Sequence, residues 1–145
     1  MTSEKPKRHR ASREPLTRSQ IMARVKRRDT SPERVLRSSL HAAGLRFRVD
    51  RRIEGIHADI VFVAAKVAIF VDGCFWHSCP THATRPKSNV SYWLPKLEEN
   101  RRRDLKQTAR LRRCGWMVIR IWEHDCRLLT DRLIGRIVGA IARRR

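Results

Sequence analysis

The chain has 145 residues, enough for one domain with a sizeable core. Its 34 lysines and arginines against 14 acids give a formal net charge of +20 and a sequence pI near 11.6; such a field attracts a polyanion, and nucleic acid is the leading one. Hydrophobic residues make up 41%, which excludes a disordered chain, and no apolar run approaches the ~18 residues of a spanning helix, which weighs against a membrane partner.

The N-terminal stretch has no apolar signal-peptide core, which points to the cytoplasm. In a reducing compartment, four cysteines indicate metal or free thiol rather than disulfides. Residues 1–14 are basic, without hydrophobic period, and read as a flexible tail. Residues 15–145 read as one domain. Ile21, Met22 and Val25 have helical spacing within a short basic helix, Leu16 to Arg28. The next helix has Ser31 as cap, Pro32 and Glu33 in its first turn, and Gly44 as its stop. Its apolar stripe is Val35, Leu36, Leu40 and Ala43.

"LRFRVD" alternates around Phe47 and Val49 and predicts a half-buried edge strand. Ala58–Ala65 and Lys66–Gly73 are near-continuous apolar runs, the pattern of central strands joined in a hairpin. A loop rich in Cys, His, Pro and basic residues follows. A long helix is expected from Ser91 to Gly115, with Pro95 splitting off its first turn. Trp116–Trp122 predicts a third buried strand, and Asp131 to about Arg143 a final helix with Leu133, Ile134, Ile137, Val138 and Ile141 on its apolar side. The order specifies an α/β fold with a mixed central sheet flanked by helices. No apolar helix face is left over, which points to a monomer.

The stretch "DGCFWHSCPTH", Asp72 to His82, concentrates the chemistry. Four residues separate Cys74 from Cys79, and His82 follows after two more. Two thiols and an imidazole in a tight loop suit structural Zn²⁺. The fourth ligand comes from Cys114, His124 or Cys126; His124, just past a core strand, is preferred, then Cys126. The metal would supply much of the loop's folding energy.

The acids suggest hydrolysis. Asp59 opens an otherwise apolar strand, where a carboxylate needs a cation or hydrogen bonds. In the expected hairpin it faces Asp72 at one end of the sheet. His77 lies in the zinc loop, with a side chain suited to proton transfer near neutrality. Glu33 and Asp104 complete a candidate pocket, although helix-dipole stabilisation and arginine pairing explain them equally well. Phe75, Trp76 and Trp93 stand on a basic surface, where aromatics stack on bases or wedge between them. Trp116 and Trp122 are assigned to the core. A non-catalytic zinc-stabilised nucleic-acid-binding module shares the charge and the metal loop, but has no use for Asp59 in an apolar strand. A restriction-type nuclease acting on another DNA substrate is also open.

"VDGCFWHSCPTH", "PKSNVSYWLPKLEENRRRD", "GWMVIRIWEHD" and "TRSQIMARVKRRDTSPERVLR" together resemble the Vsr family, the very-short-patch repair DNA mismatch endonucleases. The resemblance covers about residues 16–126. It implies a restriction-endonuclease-like fold of PD-(D/E)xK type with a structural zinc site. It implies a Mg²⁺-dependent nick on the 5′ side of the mismatched T in double-stranded DNA carrying a T·G pair. Such pairs arise by deamination of 5-methylcytosine, so a functional link to a DNA cytosine methyltransferase and to downstream repair proteins is implied too. The family's metal-binding aspartate falls on Asp59 and its general base on His77. A second strand-end position, orienting water or a second metal, falls on Asp72, with Glu33 and Asp104 as supporting acids. The carbonyl that helps to hold Mg²⁺ falls on Val71. The zinc ligands fall on Cys74, Cys79, His82 and His124, and the intercalating aromatics on Phe75, Trp76 and Trp93. One departure is Ala58 before Asp59, where the family usually has proline.

Overall fold

The computed structural model describes residues 20, 21, 24, 28–82, 85–128 and 131–145. The basic tail and most of the expected helix Leu16 to Arg28 lie outside them. Helix α1 spans Ser31–Ala42. Strands β1 (Arg48–Ile53), β2 (Ile56–Phe62) and β3 (Val67–Asp72) follow, then helix α2 (Val90–Arg113), strand β4 (Met117–Trp122) and helices α3 (Glu123–Leu128) and α4 (Asp131–Ala142). The four strands form one sheet in the order β1-β2-β3-β4. Its first three strands are antiparallel neighbours, whereas β4 runs parallel to β3 after the α2 crossover. The sheet is therefore mixed, as expected. Among the described residues, no helix is long and apolar enough to cross a membrane.

Two apolar layers enclose the sheet. On one face Leu36 and Leu40 of α1, and Leu133, Ile137 and Ile141 of α4, pack against Ile60, Phe62, Val67, Ile69 and Ile121. On the other, Leu111 of α2 packs with Ala58, Val61, Ala68, Phe70, Trp116 and Val118. Full burial of each large aliphatic side chain contributes roughly 1.5–3 kcal/mol. Helix α2 is the exception in this economy of contacts: its buried residues are Trp93 and Leu111 alone. Its other surface carries exposed arginines, among them Arg101, Arg102, Arg103, Arg110, Arg112 and Arg113.

Several expectations need correction. Thr30, not Ser31, is the N-cap of α1; its hydroxyl donates to Glu33 Oε1 at 2.9 Å. Ala43 is exposed, because the helix has ended by then and the chain turns at Gly44, with φ of 78°. The first strand begins at Arg48, and Val49 is 46% exposed. The period of two is upset there by Asp50, whose φ is +44°. The β1–β2 hairpin turns at Glu54 and Gly55, both with positive φ, the signature of a primed turn. Pro95 lies inside a continuous α2, where it removes one backbone hydrogen bond without ending the helix. Strand β4 is at the sheet's edge, yet helix and sheet packing still bury Val118 and Ile121. The six-residue α3 was not expected.

Candidate active site

Asp59 sits where β2 departs from its neighbours. Pairing with β1 is regular at Val49↔Ile60 and at Arg51↔Ala58, on either side of it. Pairing with β3 runs only over Ile60↔Ile69 to Phe62↔Val67. The burial pattern switches faces at the same point: Ala58 and Val61 join one apolar layer, Ile60 and Phe62 the other. The strand break leaves the Val71 N–H without a ladder partner, and Asp59 Oδ2 accepts it at 2.7 Å. Asp59 and Asp72 are thus not cross-strand partners, as the simple hairpin had implied. They share one end of the sheet through this irregularity.

Burial is the main reason that the Asp59 carboxyl is pushed up to about 6; the Val71 N–H opposes this, while Glu33 and Asp72 add to it and Arg120 subtracts. A folded-state value above the unfolded one means that the native protein holds the proton more tightly. The associated stability is full below about pH 4 and lost as pH rises through about 6, a difference of roughly 3 kcal/mol. We therefore expect Asp59→Asn to melt at a higher temperature than the parent at pH 7.5 in Mg²⁺-free buffer. That gap should close near pH 4. Equal melting curves at both pH values would show that Asp59 is not desolvated.

Beside Asp59 runs a connected set of charges. Arg120 of β4 grips Asp72 with two hydrogen bonds, Nε to Oδ2 and Nη2 to Oδ1, both at 2.7 Å. The same Nη2 lies 3.3 Å from Asp104 Oδ1. Nη1 donates to Thr108 Oγ1 at 3.4 Å, and the guanidinium lies over the Phe70 ring, 4.9 Å from its centroid. His77 Nδ1 hydrogen-bonds Asp104 Oδ2 and lies 3.8 Å from Asp72 Oδ1. Burial pushes the Asp104 carboxyl up, but the His77 bond and the Arg120 charge outweigh it and hold the group below the usual range. Ionised Asp104 accepts a proton-bearing Nδ1, which leaves Nε2 of a neutral His77 as the basic nitrogen.

The Cys/His loop is closed by α3. Cys74, Cys79, His82 and His124 each offer one ligand atom, and these lie within 4.8 Å of one another. Cys74 Sγ is 3.2 Å from His124 Nδ1, and Cys79 Sγ is 3.8 Å from the same atom. His82 Nδ1 stands 3.9 Å from Cys79 Sγ. Two thiols and two imidazoles at this separation form a donor set that fits a tetrahedral metal. Helix α3 carries His124 to the loop, and Glu123 accepts the Cys74 N–H at 3.0 Å. Cys126, the second candidate for the fourth position, points into the apolar core instead, and Cys114 is exposed elsewhere.

The aromatics also converge. Phe75, Trp76 and Trp93 meet edge to face, with ring centroids 5.3–5.9 Å apart. Phe75 and Trp76 are half-buried, whereas Trp93 is only 8% exposed and forms the base of the cluster. Asn100 of α2 donates to the Trp76 carbonyl at 3.4 Å and ties the loop to the helix. Trp116 is buried in the core as expected, whereas Trp122 is only half-buried.

A sequence model for "DNA mismatch endonuclease Vsr" matches residues 12–82. The Escherichia coli protein of that name is 38% identical over 133 residues, spanning 85% of each chain. The chain belongs to the Vsr family of DNA endonucleases. Other Vsr-like relatives are the type II nicking enzyme V.NaeI of Lentzea aerocolonigenes, 47% identical over 74% of this chain and 68% of that one, and V.NmeAIP of Neisseria meningitidis serogroup A, 37% identical over 86% and 94%. The catalytic domain of the homing endonuclease I-Bth0305I shares the fold: TM-score 0.54, 18% identity, covering 80% of this chain and 98% of that domain.

Asp59, Glu33, Asp72, His77 and Asp104 thus gather at one end of the sheet in this Vsr-family chain. Three participants were missed by reading the sequence. Arg120 interrupts the apolar run "MVIRIW" just as Asp59 interrupts "ADIVFV", so the reasoning that found one finds the other. Glu123 and Asn100 act through backbone contacts and leave no pattern to read.

Proposed function

We propose that this endonuclease nicks duplex DNA on the 5′ side of the mismatched T in a T·G pair by Mg²⁺-dependent phosphodiester hydrolysis. The observation that carries this reading is the desolvated Asp59 carboxylate, held by the Val71 N–H beside Glu33 and Asp72, with His77 joined to the same charge network. A binding module has no need of such a group. Asp59 and the Val71 carbonyl would hold the cation in a restriction-endonuclease-like use of the sheet end. Bound there, Mg²⁺ would stabilise the charge that develops on the phosphate and the leaving oxygen.

His77 Nε2 takes the proton of the attacking water, and Asp104 fixes the tautomer and steadies the resulting imidazolium. The sequence-derived role for Asp72, orienting water or a second metal, conflicts with the Arg120 fork, which engages both of its oxygens; Asp72 instead anchors Arg120. The basic surface binds phosphates with release of counterions. Phe75 and Trp76, backed by Trp93, wedge beside the wobble pair, which unstacks more easily than a matched one. Zn²⁺ in the Cys74, Cys79, His82 and His124 site would contribute folding energy to the loop that carries both His77 and the wedge. Soft thiolates with imidazole favour that ion over Mg²⁺.

The decisive experiment compares a T·G duplex with its T·A counterpart, with and without Mg²⁺. Nicking of the T strand in T·G alone, dependent on Mg²⁺, is the expected result. Equal cleavage of T·A would point to a restriction-type nuclease instead. Replacing His77 with Ala should slow the single-turnover rate by about 10²–10⁴, the range for a lost general base. Near-normal turnover would remove it from that role.

A further inference from the structure

The start of α2 holds more apolar surface than the three rings of the cluster account for. Val90, Tyr92 and Leu94 are exposed, at 43%, 57% and 47%, while Trp93 among them is buried. Tyr92 packs on Trp93 edge to face, with centroids 5.1 Å apart. It therefore extends the cluster of Phe75, Trp76 and Trp93 outward by one ring. Lys96 Nζ donates to the Tyr92 hydroxyl at 3.2 Å and lies 5.3 Å from the ring centroid. These two distances put the ammonium beyond the hydroxyl rim. It steadies the ring without covering it.

Apolar side chains exposed side by side mark a contact surface, and the surroundings of this one select its occupant. The first turn of α2 carries no acid, and Lys87 and Lys96, both exposed, stand on either side of Tyr92 in the chain. A flat aromatic face among cations matches a nucleobase, which joins a flat face to a phosphate backbone. We propose that Tyr92 is a further DNA-contacting residue, whose ring stacks on a base of the step opened beside the wobble pair. The inference rests on the T·G reading of the activity. Phe75 and Trp76 would part the step, and Tyr92 would take the base face they uncover, offsetting some of the lost stacking. A matched step keeps its bases on each other and offers no such face. Tyr92 then adds to the preference for the mismatch rather than to general affinity.

Tyr92 is the single tyrosine of the chain, which makes it its own probe. Growth on 3-fluorotyrosine labels the full chain, supplied with Zn²⁺, with one ¹⁹F resonance. The spectra are taken in Mg²⁺-free buffer, so that no nicking intervenes. Saturating T·G duplex should move this resonance and abolish its H₂O/D₂O isotope shift. T·A duplex at equal occupancy should do neither. Tyr92→Leu keeps an apolar cover over Trp93 but has no π face. It should melt like the parent and bind T·A duplex like the parent. Its T·G affinity should fall by about 5- to 150-fold, the range for one base–aromatic stack. Tyr92→Phe should bind both duplexes as the parent does. An unmoved resonance in the T·G complex, an equal change in both complexes, or full T·G affinity in Tyr92→Leu overturns the inference and leaves the mismatch reading standing. Equal affinity of the parent for the two duplexes overturns that reading and the inference with it.

Discussion

Asp59→Ala should abolish Mg²⁺-dependent nicking while leaving DNA binding close to normal. The cation it would hold is worth several kcal/mol in the transition state, on the order of 10³-fold or more in rate. On the proposed function, binding would rely on other parts of the molecule: arginines spread over the exposed side of α2, and the Phe75 and Trp76 rings in the loop. The variant should also be well folded, because the buried carboxylate costs stability above its raised pKa. Gel-shift affinity and single-turnover nicking measured on one preparation separate the two effects. Retained nicking in Mg²⁺, or binding lost together with it, would refute the assignment.

Cys79→Ser should behave in the opposite way. Cys79 is buried at the centre of the ligand cluster, within 4 Å of both imidazoles. The loop around it has little apolar cover, so the metal would hold it in place. Structural zinc contributes about 10–16 kcal/mol in zinc-finger peptides. Loss of even ~3 kcal/mol here would lower the melting temperature by about 10 °C. Because His77 lies two residues before Cys79, and Phe75 and Trp76 before that, binding and nicking should fall together. Release of one Zn²⁺ per parent chain on denaturation, and less from the variant, checks the cause. Full activity in chain stripped of all metal would dispose of the idea.

What could be read in advance followed local physics. Asp59 was visible because a carboxylate in an apolar strand is anomalous without a partner, and its partner proved to be a backbone N–H freed by the strand break. His124 was visible as a candidate because it follows a core strand, and it does join the Cys/His cluster, although the short helix that delivers it has too few residues to show a period. The misplacement of β1 has a single source: positive φ at Asp50, opposite the irregularity at Asp59, shifts the alternation that the eye follows. Arg120 interrupts its strand as visibly as Asp59 does, but what it pairs with is non-local. Its partners lie 48 residues away at Asp72 and one helix away at Asp104. Burial of Trp93 was hidden for the same reason, since Phe75 and Trp76, which pack on it, come from the loop before α2.

One stripe of α2 touches the aromatic cluster, the His77 loop, Arg120 and the core. Trp93 supports the aromatic cluster, Asn100 holds the Trp76 carbonyl, Asp104 binds His77, Thr108 meets Arg120, and Leu111 anchors in the core. Each is three, four or seven residues from the next, the spacing at which one helix face repeats. The rod thereby acts as a ruler: eleven residues from Trp93 to Asp104 set an axial span of about 16 Å. Insertion of one residue between them would swing one half by about 100° relative to the other. Under the proposed function, the aromatic wedge and the His77 base would be gauged by the same length of backbone, and neither could drift without dragging the other out of alignment.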